Sequence, residues 1–143
     1  MAGDAPGSRV PTVAELIAAA PPETSVVYVN TFNNPTGERY EDAALRILVR
    51  WARDHEVHIL HDTVSSDVCA SGELPLLPAI AAAEGYAAGL ITVSSLSKVR
   101  AVPGFRIGWL VADPSLVGEL ARLNELGAPS SPGSPHPRCC STG

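Results

Sequence analysis

Three short apolar runs, each ending in polar residues, constrain this chain more than any other feature of its sequence. Ser25 to Val29 (SVVYV) runs into the turn-rich stretch Asn30 to Gly37. Val57 to Leu60 ends at His61 and Asp62, and Leu90 to Val93 ends in Ser94, Ser95, Leu96, Ser97 and Lys98. Each reads as a strand, and the β-branched SVVYV is of the type buried on both faces. Between the first two, Glu41 to His55 places Ala44, Leu45, Leu48, Trp51 and Ala52 at three- and four-residue spacing, the pattern of an amphipathic helix. An Ala-rich helix near Ala79 to Glu84 precedes the third run. Alternation of this kind predicts an α/β fold with a mostly parallel sheet and flanking helices, because parallel strands need a crossover between them. Such sheets bind ligands beyond the carboxyl ends of their strands, where the polar clusters fall.

Further elements follow from local signals. Thr12 and Glu15 have the capping-box spacing ahead of Leu16, Ile17 and Ala20, and Pro21 and Pro22 stop that helix. Arg106 to Val111 (RIGWLV) reads as a fourth strand, and Pro114 to Leu126 as a helix with Pro in its first turn and Gly127 at its close. Residues 12–127 thus read as one partial domain, preceded by a flexible N-terminus, 1–11. The segment 128–143 (APSSPGSPHPRCCSTG) is Pro- and Ser-rich without periodicity, the composition of a disordered tail.

Composition narrows the function classes. The chain is 45% hydrophobic and 17% charged, which suits a soluble globular domain, and its formal charge of −5 argues against nucleic acid or an anionic membrane as partner. No apolar run approaches the roughly 20 residues of a membrane span, and MAGDAPGSRV lacks the features of a secretory signal. Cys69, Cys139 and Cys140 are odd in number and suit free thiols in a reducing, cytoplasmic setting. His55, His58 and His61 lack a neighbouring Cys or carboxylate cluster and read as surface and strand-end residues, with no metal site. Trp51 and Trp109 read as core or sheet-face residues.

Taken singly, the polar positions are unremarkable. Asn34-Pro35-Thr36-Gly37 is a good turn, Asp62 could cap whatever follows it, and a lone Lys is usually a solvated charge. Their conjunction is more specific: 28 positions separate Asn34 from Asp62, 36 separate Asp62 from Lys98, and 8 separate Lys98 from Arg106. The segments NNPTG, HD and SSLSKVRAVPGFRIGW, with these intervals, resemble the large domain of the fold-type I, pyridoxal-phosphate-dependent class I/II aminotransferases. The resemblance runs from about Thr12 to Gly127, while that family's usual chain is more than twice as long, so the expected fold is a partial large domain truncated at both ends.

The resemblance implies a role for each position. Lys98 would form a Schiff base with the aldehyde of pyridoxal 5′-phosphate and move the substrate's α-proton. Asp62 would face the pyridine nitrogen and keep it protonated. Asn34 would donate to the ring's phenolic oxygen, and Arg106, with Ser95 and Ser97, would grip the phosphate. It further implies an amino acid and a 2-oxo acid as substrates and a homodimer in the full-length family. One position departs from the family: Ser65 stands three residues after Asp62, where many members carry a tyrosine that reaches the phenolic oxygen. By the same resemblance, the aromatic ring stacked on the cofactor, the backbone phosphate cradle and the substrate-carboxylate arginine lie outside this chain. Two other readings stay open on these residues, a non-catalytic remnant and an enzyme of the same fold that carries out elimination, decarboxylation or cyclisation.

Overall fold

A computed structural model describes residues 9–66, 76–99 and 101–127. The expected tail at 128–143, most of the expected N-terminal segment and all three cysteines lie outside them. The chain divides between Asp113 and Pro114; the first unit holds α1 (Val13–Ala19), β1 (Val26–Asn30), α2 (Asp42–Asp54), β2 (His58–Asp62), α3 (Leu77–Ala83), β3 (Leu90–Ser95), α4 (Leu96–Val99) and β4 (Gly108–Val111). Helix α5 (Pro114–Gly127) belongs to the second.

The strands form one sheet in the order β1-β2-β3-β4. β1, β2 and β3 are parallel, and β4 returns antiparallel on β3, pairing Ser95 with Gly108 and Thr92 with Val111. Because strand order advances in one direction, right-handed crossovers place the connecting helices on the same face of the sheet. Accordingly α2 packs against α1, α3 and β2. Leu48, Val49 and Ala52 of α2 are fully buried with Ile59 of β2, and Val29, Leu77 and Ile80 close around them. At the rim, Glu84 at the end of α3 ties the two helices together. It accepts from Arg50 at 2.8 and 3.0 Å and from Arg46 at 3.2 Å, and its carbonyl accepts from Arg53 at 3.0 Å.

Helix α1 starts as its sequence predicts. Glu15 N donates to Thr12 Oγ1 at 3.2 Å and Thr12 N donates back to Glu15 Oε2 at 2.7 Å, so two otherwise unpaired amides are satisfied.

Three expectations are corrected. β1 is not buried on both faces: Val26 and Tyr28 are 49% and 54% exposed while Val29 is buried. Among the described residues β1 is at the edge of the sheet, and α1, α2 and α3 lie on the other face. The fourth strand begins at Gly108 rather than Arg106, since Pro103–Phe105 form a 3₁₀ turn that ends with Arg106 at φ 51°. His61 is no surface residue; it lies on the helix-covered face with Ile59 and is fully buried.

Candidate active site

Parallel pairing aligns the carboxyl ends of β1, β2 and β3, and a cavity of about 480 Å³ opens there, within the range of small-molecule sites. Asn34, Asp62 and Lys98 all line it, with Tyr28, Tyr40 and Ser65 among their neighbours.

Local hydrogen bonding explains how each is carried. After β1, Thr31 N donates to Asp62 O at 2.9 Å, extending the ladder one step beyond the strand. The chain then folds back on itself: Asn33 N donates to Glu38 O at 2.8 Å, Gly37 N donates to Asn33 O at 2.7 Å, and Asn33 Nδ2 donates to Thr36 Oγ1 at 2.8 Å. Gly37 has φ +72°, a conformation that glycine adopts without penalty. This closed turn presents Asn34.

Asp62 is the last residue of β2 and pairs with Asn30. Its Oδ1 accepts from Val64 N at 2.9 Å, an Asx-turn contact. Its Oδ2 accepts from Tyr28 Oη at 2.8 Å. The loop that follows is pinned on both sides: Thr63 N and Oγ1 donate to Val93 O at 2.9 and 3.0 Å, and Ser66 Oγ donates to Thr31 O at 2.6 Å. Beyond β3 the single turn of α4 carries Lys98, the chain's one lysine, to the cavity.

Ser95, Ser97 and Arg106 are not brought to this cavity lining. Ser95 ends β3 on the same sheet face as Asp62, and Ser97 lies in α4. Arg106 Nη1 donates to Pro103 O at 3.4 Å, within its own turn. The short side chain of Ser65 does line the cavity, at the position where the expected tyrosine is lacking.

Sequence reasoning missed Tyr28. Burial, followed by the hydrogen bond to Asp62, pushes its phenol up to about 12, so it is a donor at neutral pH. Alternation along β1 puts Tyr28 on the face of Asn30, but only the register with β2 shows that it reaches Asp62. Val10, Pro11 and Leu16 also line the cavity, and Tyr40 Oη donates to Pro11 O at 2.9 Å, holding that segment in place.

The donor set suits a pyridine aldehyde. A carboxylate can accept from a protonated ring nitrogen, an amide can donate to an oxyanion, and a primary amine can attack a carbonyl. All three are in one cavity.

Comparison with known proteins gives the family. Residues 7–136 match the family model "Aminotransferase class I and II". The chain is 28% identical over 112 residues to asparagine–oxo-acid transaminase of Streptococcus mutans, covering 78% of this chain and 28% of that protein. Among solved structures it is similar to aspartate aminotransferase from Thermus thermophilus with maleate, at TM-score 0.72 and 25% identity over 82% of this chain and 30% of that one. It is also similar to a PLP-dependent aminotransferase from Streptococcus suis, at TM-score 0.64 and 31% identity over 82% of this chain and 29% of that one. The chain therefore spans less than a third of the length of these relatives. Among the described residues no helix is long and apolar enough to cross a membrane. With its parallel sheet and the residues gathered at the strand ends, the chain belongs to the aminotransferase class I and II family.

Proposed function

We propose that this chain is the cofactor-holding part of an enzyme that uses pyridoxal 5′-phosphate to move an amino group between an amino acid and a 2-oxo acid. One observation carries the reading: Asn34, Asp62 and Lys98, from three separate strand ends, line a single cavity in a chain of this family.

Bound in that cavity, the cofactor supplies an electron sink for the pair of electrons left when the substrate's α-proton departs. The chain's own residues would hold and position it. Asp62 holds a proton at the pyridine nitrogen, because an adjacent carboxylate favours the charged form of the group it faces. Asn34 donates its amide to the phenolic oxygen. Lys98 would hold the aldehyde end of the cofactor through its amine and would hold or move the α-proton as a general base and acid. On this reading Arg106, Ser95 and Ser97 would hold the phosphate, since guanidinium and hydroxyl donors suit its oxygens.

Transfer is favoured over elimination, decarboxylation or cyclisation by the relatives, which include transaminases of asparagine and of arginine with pyruvate. The reading extends to a homodimer, in which family sites are built between subunits, and to the cytoplasm, which suits an odd number of cysteines. To test it, the whole protein is loaded with the cofactor and amino-group transfer to 2-oxo acids is followed beside Lys98→Ala. Transfer by the parent and its loss in the variant are expected. Equal transfer by both would contradict the role of Lys98.

A further inference from the structure

Asp62 is held by two donors of its own chain, one on each oxygen: Val64 N at Oδ1, 2.9 Å, and Tyr28 Oη at Oδ2, 2.8 Å. The first is a local turn contact available to any Asp followed by this backbone. The second is not local. It spans from β1 to β2, and it depends on the register that sets Tyr28 opposite Leu60, two residues before Asp62 on the same face of a parallel pair. An aromatic side chain is long enough for that diagonal. Any aliphatic residue at position 28 would serve the strand equally well but would leave Oδ2 with no partner from β1.

We propose that Tyr28 is a positioning residue for Asp62, its hydroxyl fixing the carboxylate so that a lone pair of Oδ2 stays aimed into the cavity for the protonated nitrogen of a pyridine ring. The proposal rests on the assignment of Asp62 to the ring nitrogen. A carboxylate offers about four acceptor sites, so two donors hold its plane and still leave capacity for a third. With both oxygens anchored, the group does not have to stop rotating when the ligand arrives, and that ordering cost is removed from binding. The phenol suits this task because it remains protonated across the neutral range. Tyr28 does not replace the tyrosine that Ser65 lacks, since its hydroxyl is engaged at the carboxylate that faces the ring nitrogen.

Tyr28→Phe in the whole protein removes the hydroxyl and keeps the ring, so the donor to Asp62 is lost with the least change in shape. Dissociation constants are measured for pyridoxal 5′-phosphate and for its carbocyclic analogue, in which a C–H replaces the ring nitrogen. The parent is expected to prefer the pyridine. Tyr28→Phe is expected to lose about fivefold of that preference, the size of one hydrogen bond's net contribution, with affinity for the carbocycle unchanged. The same preference in parent and variant would overturn the proposal and leave the Asp62 assignment standing. No preference in the parent would overturn the Asp62 assignment, and the proposal with it. An equal loss of affinity for both compounds would show that Tyr28 only shapes the cavity, and would overturn the proposal as well.

Discussion

His61 Nε2 lies 3.1 Å from Thr31 Oγ1, joining the last helix-facing residue of β2 to the first residue of the loop that leads to Asn34. The ring is fully buried and its Nδ1 has no hydrogen-bond partner. Burial pushes the imidazole down to about 4, against a smaller opposing pull from Asp62. A buried neutral histidine therefore sits behind the loop that leads to Asn34 and next to Asp62 at the end of β2.

This predicts an acid-sensitive fold. Because the folded pKa lies below the unfolded value near 6.5, the unfolded state binds the extra proton between them. The stability is fully present above pH 6.5 and is lost progressively as pH falls towards 4, by about 3 kcal/mol in all. Denaturant unfolding at several pH values checks this: His61→Gln should flatten the slope between pH 6.5 and 4 relative to the parent, leaving only what the carboxylates contribute.

Thr12→Ala should destabilise the protein by about 1 kcal/mol, since Glu15 N loses its acceptor at the start of α1. The arginine at position 9, followed by the Thr12 backbone, holds Glu15 down to about 2, so its half of the capping box persists into acid. Denaturant midpoints of parent and variant give the comparison, and cofactor affinity should fall too, as Leu16 and Pro11 line the cavity.

Leu48→Ala should cost about 2–5 kcal/mol, because Leu48 is fully buried where α2 meets the sheet. Chemical denaturation measures it. A cost under about 1 kcal/mol would mean that α2 does not form the core described.

Asp62→Ala should separate binding from chemistry. Cofactor affinity should fall about tenfold to a hundredfold with the loss of one charged hydrogen bond, while amino-group transfer should fall a further hundredfold or more. Equilibrium binding and steady-state turnover of the same variant show whether the two effects divide. Transfer at the parent rate would reduce Asp62 to a residue of the turn.

Much of the fold was legible because it follows from local rules. The capping box at Thr12, the apolar spacing of α2 and the strand-helix alternation each point to the elements found, and the polar ends of three strands pointed to the site. What was not legible depends on register and coverage. The run SVVYV looks like a doubly buried strand, yet it lies at an edge with Val26 and Tyr28 open. RIGWLV looks like a continuous strand, but the left-handed backbone at Arg106 delays β4 to Gly108. Tyr28 could be placed on a face of β1 but not opposite Leu60, so its bond to Asp62 was invisible before the pairing was known.

Lys98 shares its cavity with Asn34 and Asp62 and is proposed to bond covalently to pyridoxal 5′-phosphate there. The most direct test is borohydride reduction of the cofactor-loaded protein followed by peptide mapping. The account predicts a stable pyridoxyl group on the peptide that contains Lys98. A label on the amino terminus or elsewhere, with Lys98 unmodified, would contradict it.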